Sequence, residues 1–209
     1  MNIIVMEYPG YGVYIGKPSQ EQILIDAEIL FDYLQYYIGI PTENIIVFGR
    51  SLGSGPATFL ASRRNPGALL LMSPFTSLKD VARGVAGKLG SLLIPDQFRN
   101  IDEISSVLCP TFFVHGKGDS LVSYKHTVSL SEKVAGNCMV HLPETMTHNR
   151  YFMDRHIIFP IQNFLTECQY EINIGEEVYE LPKKLYMQPE SLKGKKNERS
   201  LAAKIINRS

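Results

Sequence analysis

One serine of this chain sits where it could act as a nucleophile. Ser51 lies in Gly49-Arg50-Ser51-Leu52-Gly53, after the apolar β-branched run Ile45-Ile46-Val47-Phe48 and before a helix-compatible segment from Ala57 to Arg64. Strand, tight turn, helix is the context a G-x-S-x-G elbow requires. The chain reverses so sharply there that the positions two before and two after the serine must lack side chains, and Gly49 and Gly53 meet that need. Such a turn lifts the hydroxyl off the sheet edge. It also points the Leu52 backbone N–H and a helix N-terminus at the spot where negative charge on a reacting carbonyl oxygen would collect. Leu52 is the candidate oxyanion donor. The pentapeptide alone is weak, because a 209-residue chain with 16 Gly and 16 Ser would contain it by chance in roughly one case in ten.

A serine nucleophile needs a base to take its proton and an acid to orient that base. In open parallel sheets such groups collect in loops beyond the strand C-termini. Asp119 follows the predicted strand Thr111–Val114 through a Gly-containing loop, and His148 follows the predicted strand Cys138–Leu142 through another. The chain order is Ser51, Asp119, His148, which differs from the order in the two well-known protease folds. The remaining histidines fit less well. His115 ends a strand and is expected to bond within its own loop. His126 lies on a helix, His141 inside a strand and His156 before the last helix. Asp80, Asp96 and Asp102 all precede the acid strand.

The elements that must position these groups alternate. Asn2–Tyr8 reads as a buried strand entering the turn Pro9-Gly10-Tyr11-Gly12. Ser19 and Gln22 form a capping box for a helix whose buried stripe is Ile23, Ala27, Leu30 and Leu34. Gly39 and Pro41 end it. After the elbow and its helix come a strand at Ala68–Met72 and a helical stretch, Phe75–Leu93, broken by Gly84, Gly87 and Gly90. Then follow a short helix at Ile101–Val107, the acid strand, a helix at Tyr124–Val134, the strand before His148 and a closing helix at Phe159–Cys168. Strand–helix alternation predicts an α/β fold, a mostly parallel sheet with helices on both faces. Residues 1–170 read as one domain. Residues 171–209 read as an extension, strand-like over Ile172–Leu181 and flexible after about 182.

Charge divides the chain in the same place. From Lys183 to Ser209 there are eight Lys/Arg and two Glu, a net of +6, leaving −6 on the preceding body. A tail of this charge has nucleic-acid contact open to it as one alternative, although no nucleic-acid partner is expected. Contact with an acidic membrane surface is the other alternative, and a solvated tail is the reading the composition favours. Cys109, Cys138 and Cys168 show no metal spacing and read as reduced thiols. No run reaches transmembrane length and no basic-then-apolar leader opens the chain. The expected setting is cytoplasmic, with peripheral membrane contact, and neither a metal nor an organic cofactor is implied.

Several pieces together resemble the α/β-hydrolase family. They are Glu7-Tyr8-Pro9-Gly10-Tyr11-Gly12 with Gly16-Lys17-Pro18-Ser19, Gly49 to Gly55, Ser73-Pro74-Phe75-Thr76-Ser77, His115-Gly116-x-x-Asp119-x-x-Val122, and His148-Asn149. They run in family order from about Asn2 to Leu165. The chain is most similar to the compact eukaryotic subgroup of protein depalmitoylases, monoacylglycerol-lipase-like and serine-aminopeptidase-like proteins. The resemblance implies Ser51 as nucleophile, Asp119 as orienting acid, His148 as general base and the Leu52 N–H as oxyanion donor. Tyr11 and Phe75, in two matching pieces, become candidates for substrate binding.

The chain also departs from that pattern. It opens at what corresponds to the family's fourth strand, Asn2–Tyr8, so the first strands have no counterpart. A His-Gly segment after one of them would supply the second oxyanion donor, and the His-Gly present here, His115-Gly116, precedes the acid. The expectation is a chain missing its N-terminal portion, or a short form that has lost activity. The functional expectation is a serine hydrolase of ester or thioester bonds working through an acyl-enzyme on an acylated protein or lipid. The alternatives are a monoacylglycerol esterase, a serine peptidase, or a non-catalytic hydrolase-like binding protein. The short, Gly-broken segment after the Ala68–Met72 strand predicts a small lid and an open site.

Overall fold

The computed structural model describes residues 2–170 of the 209-residue chain. These fall into two compact units, residues 2–40 and residues 41–170. The expected strand-like extension and basic tail lie outside the described residues.

In the first unit, residues 2–7 carry no regular secondary structure, contrary to the strand expected over Asn2–Tyr8. A β-branched run becomes a strand only when a neighbouring strand takes up its N–H and C=O groups. Without that ladder the run is irregular, with Ile3, Ile4 and Val5 exposed. Tight turns follow, in which Tyr11 N–H donates to the Tyr8 carbonyl and Val13 N–H to the Glu7 carboxylate. Helix α1 (Gln20–Asp32) is capped by the Ser19 hydroxyl, which accepts from Gln22 N–H. Its buried stripe is Ile23, Ala27 and Phe31, continued by Leu34 in the turn just beyond it. Phe31 takes the place expected for Leu30, since the steps of four and three residues hold one helical face. The helix runs on through a wider π turn, Tyr33–Tyr37, and Gly39 takes up left-handed backbone (φ +84°) just beyond it.

The second unit is a four-stranded, wholly parallel sheet in the order β1 (Ile46–Arg50), β2 (Ala68–Met72), β3 (Thr111–Val114), β4 (Cys138–His141). Every strand and most helices predicted for this part of the chain are present. Helix α2 (Ser54–Arg64) leaves the elbow, and α3 (Leu78–Ser91) follows β2. Of its three glycines only Gly87 breaks α3, with φ +71°. The short α4 (Asn100–Glu103), α5 (Lys125–Ser131) and α6 (Phe159–Glu167) complete the unit.

Strand periodicity sorts the core onto two faces. Leu69, Leu71 and Phe113 pack with Ala57, Ala61, Ile104 and Leu130, the side of α2 and α5. Leu70, Met72, Phe112 and Val114 pack with Met146, Phe164 and Leu165, the side of α6. Sheet residues buried on both faces explain why β2 reads as an unbroken apolar run. β1 and β4 are the sheet edges, and Phe48 on β1 is 52% exposed. Because all four strands run the same way, their C-terminal ends lie along one edge. The loops that leave that edge carry Ser51, Ser73, Asp119 and His148.

Candidate active site

Ser51 is the first residue past β1 and adopts φ +49°, the left-handed region that side-chain-bearing residues seldom occupy. It opens a single 3₁₀ turn, Ser51–Gly53, that leads into α2. Gly49 permits the reversal: a Cβ there would lie 2.5 Å from the Gly53 carbonyl oxygen and 2.6 Å from Ala57 Cβ. The turn is buttressed from beneath. The Ser54 hydroxyl donates to the Ser51 carbonyl at 2.7 Å and accepts from Asn100 Nδ2 at 3.1 Å. Asn100 is 1% exposed and also donates to the Phe75 carbonyl. Leu52 sits in the first turn of the helical run, where backbone N–H groups lack intrahelical acceptors.

The loops after β3 and β4 are laced together. His115 N–H donates to His141 O, Lys117 N–H to Pro143 O and Gly118 N–H to Met146 O, all at 3.0–3.1 Å. Gly116 makes this approach possible, since a Cβ there would fall 2.0 Å from the Met146 carbonyl oxygen. The lacing brings Asp119 to His148: Asp119 Oδ2 lies 2.7 Å from His148 Nδ1. The other carboxylate oxygen, Oδ1, accepts Leu121 and Val122 N–H, each at 2.9 Å. Burial alone would push the Asp119 carboxyl up. The hydrogen bonds from His115, Val122 N–H and His148 outweigh it and hold the acid well below the usual carboxylate range. With Nδ1 committed to Asp119, the ring turns Nε2 away from the carboxylate.

Arg50, the residue before Ser51, ties the histidine loop to the elbow. Its Nη2 donates to the His148 carbonyl at 2.7 Å and to Asn149 Oδ1 at 2.8 Å. The structure thus gathers the elbow, the acid and the histidine on one sheet edge, with Asp119 and His148 in direct contact and His148 anchored to the neighbour of Ser51.

Known proteins carry the same arrangement of elements. No family model matches the chain. Alpha/beta hydrolase domain-containing protein aho-3 of Caenorhabditis elegans is 36% identical over 132 residues, 63% of this chain and 39% of that protein. Alpha/beta hydrolase domain-containing protein 17B of Homo sapiens is also 36% identical over 132 residues, 45% of its length. Among solved structures, the acetyl xylan esterase of Paenibacillus sp. R4 superposes with a TM-score of 0.57 at 17% identity, over 77% of this chain and 60% of that one. Alpha/beta hydrolase domain-containing protein 10 from mouse gives 0.56 at 17% identity, over 78% and 76%. The fold is of the α/β-hydrolase type, and the curated relatives that the chain matches are alpha/beta hydrolase domain-containing proteins. It spans about two-fifths of the length of the curated relatives it matches.

Within this α/β-hydrolase-type fold the other candidates fall elsewhere. His126 Nδ1 meets Thr76 Oγ1 at 2.9 Å, His156 bonds Phe152 N–H, and His141 lies in edge strand β4. Asp80 caps α3 with Ser77 and accepts from Thr76, while Asp96 and Asp102 pair with Arg99. Phe75 is 2% exposed, so it presents almost no surface to a ligand. Tyr11 belongs to the first unit and is half exposed. All three cysteines are free, and burial pushes the Cys109 thiol up to about 11, the wrong direction for a nucleophilic thiolate. Among the described residues no cluster could hold a metal ion.

Sequence reasoning missed four residues around the site. Arg50 was visible inside the pentapeptide but carried no signal of its own. Asn100 and Thr127 reach the site only through the fold. His115 was expected to bond within its own loop, and it does so to Val122 O at 2.9 Å, but its Nε2 also lies 3.3 Å from Asp119 Oδ2.

Proposed function

We propose that this α/β-hydrolase cleaves ester or thioester acyl bonds with Ser51 as nucleophile, His148 as general base and Asp119 as the acid that orients it. The observation that carries the reading is the 2.7 Å Asp119–His148 contact on a loop that Arg50 anchors beside Ser51. As Ser51 Oγ attacks the acyl carbonyl, its proton passes to His148 Nε2, and the oxyanion is received by the Leu52 N–H. Collapse breaks the acyl–oxygen or acyl–sulfur bond, and the leaving alcohol or thiol takes the proton from Nε2. Water then attacks the acyl-enzyme with His148 again as base, releasing the acid and restoring Ser51.

An acylated protein or lipid is the substrate this reading favours. Support comes from α3 and the turn after it, which follow β2 out of the same sheet edge. Val85, Leu89, Leu92 and Leu93 there are between 62% and 86% exposed. That is apolar surface suited to an acyl chain or a lipid face. Peripheral contact of the basic tail with an acidic membrane, at a cytoplasmic surface, belongs to the same proposal. No helix among the described residues is long and apolar enough to cross a membrane.

The test is labelling by a fluorophosphonate probe. The wild type should label and Ser51→Ala should not, and equal labelling of both would remove Ser51 as nucleophile. Comparing an acyl-cysteine peptide with short soluble esters then addresses the bond. Cleavage of the short esters alone would overturn the acyl-protein substrate.

A further inference from the structure

Besides the proposed catalytic groups, the loop edge holds a second imidazole on the acid. His115 is wholly buried at the end of β3. Its Nδ1 lies 2.7 Å from Thr127 Oγ1 on α5, and Thr127 is itself fully buried. Its Nε2 lies 2.9 Å from the Val122 carbonyl oxygen and 3.3 Å from Asp119 Oδ2. A carbonyl can only accept, so Nε2 carries a hydrogen whatever the state of the rest of the ring. That N–H sits between Val122 O and the same carboxylate oxygen that receives His148 Nδ1.

We infer that His115 is a positioning residue for the Asp119–His148 pair, its Nε2–H shared between Val122 O and Asp119 Oδ2 so as to fix the aim of the acid and draw down the basicity of that oxygen. The inference rests on the proposed catalytic reading of the pair. Four donors then surround one carboxylate: Leu121 and Val122 N–H on Oδ1, His115 and His148 on Oδ2. The carboxylate cannot rotate without breaking at least two of them. Thr127 prevents the His115 ring from turning. A donor on Oδ2 also weakens the pull of that oxygen on the proton it shares with His148. The acid then orients the base without holding its proton too tightly. The other ionisable groups around the cluster are His126 on α5, bonded to Thr76 and through it to Asp80, and Arg50, which reaches the His148 carbonyl.

The test uses His115→Leu, which removes the donor, and His115→Gln, whose amide nitrogen reaches about as far as Nε2 and keeps it. Thr127→Val frees the ring and provides a third variant should His115→Leu fold poorly. Two readouts are taken on the whole chain: the pH profile of kcat/KM on a soluble ester, and the low-field proton resonance of the His148–Asp119 hydrogen bond. A hydrogen bond to a charged group at this length corresponds to about tenfold in rate. His115→Leu should lower kcat about tenfold with KM little changed and move the acid limb of the profile to higher pH. It should also shift or abolish the low-field resonance. His115→Gln should restore most of each, and Thr127→Val should fall between. If His115→Leu leaves limb and resonance where the wild type has them, or if His115→Gln is as impaired as His115→Leu, the inference is overturned. If no ester is turned over but the resonance shifts in His115→Leu and returns in His115→Gln, the positioning stands and the catalytic reading fails.

Discussion

Arg50→Met should uncouple the histidine loop from the elbow and cost activity far more than stability. The guanidinium makes two hydrogen bonds across 98 and 99 residues of sequence, to His148 O at 2.7 Å and Asn149 Oδ1 at 2.8 Å. A hydrogen bond from a charged donor contributes about 1.5–3 kcal/mol. The Asn149 bond is solvent-exposed and water can replace it, so the His148 carbonyl bond accounts for most of the effect. On the folding side the loss is offset. Arg50 Nε is buried without a hydrogen-bond partner, and removing it relieves a desolvation cost of about 1–3 kcal/mol. Methionine keeps much of the aliphatic stem that packs there. Folding stability should therefore fall by no more than about 1 kcal/mol, and the histidine loop should drift relative to Ser51. A base displaced by even part of an ångström costs about 10–100-fold in kcat, with KM nearly constant. Asn149→Ala should cost less than about threefold. The assay pairs steady-state ester hydrolysis and the rate of fluorophosphonate labelling with urea denaturation of the same samples. A kcat for Arg50→Met within twofold of wild type would refute the anchoring role. So would a loss of activity that simply tracks a loss of folded protein.

Other outcomes follow from single positions. Ser51→Gly should abolish probe labelling yet raise stability by about 0.5–1 kcal/mol. Relief of left-handed strain, about 1–2 kcal/mol, exceeds the extra chain entropy of glycine, about 0.5–1 kcal/mol; urea melts check it, and a destabilised Ser51→Gly would count against strain at the elbow. Gly49→Ala should destabilise by about 1–3 kcal/mol, because its Cβ would meet backbone at 2.5 Å that cannot move without opening the elbow. Asp119 carries a pH signature. Its folded-state acidity is stronger than its unfolded value of about 3.9, so its stabilising contribution is complete above that pH and fades as pH falls below it. Denaturation of wild type and Asp119→Asn should differ clearly at pH 7 and converge toward pH 2. A gap that stays constant with pH would mean that Asp119 is not held as the charged acid.

What the sequence made legible depended on whether the cause was local. β2 could be read because Ala68–Met72 is apolar at every position, as a strand buried on both faces must be, and the structure buries all five. The elbow could be read because Gly49 answers to a local clash, a Cβ there lying 2.5 Å from the Gly53 carbonyl oxygen four residues on. The contact between Asp119 and His148 could be anticipated only from chain order and strand ends, since no local rule links residues 29 apart. Asn2–Tyr8 shows the limit from the other side. Its residues have strand propensity, but a ladder needs a partner, and that information does not lie within the run. His115 is a different kind of miss. It stands four residues before Asp119, and across a loop tightened at Gly116 that spacing returns the imidazole onto the carboxylate it precedes. Chain order assigns the two histidines to different loops, yet both end on one oxygen, 2.7 Å and 3.3 Å away. His115, just past β3, is locked by Thr127 and Val122, while among the described residues His148 is hydrogen-bonded by Asp119 and, through its carbonyl, by Arg50. On the proposed reading the base must receive and return a proton and so keep one nitrogen clear, and among the described residues His148 is hydrogen-bonded through Nδ1 alone of its ring nitrogens, whereas His115 engages both.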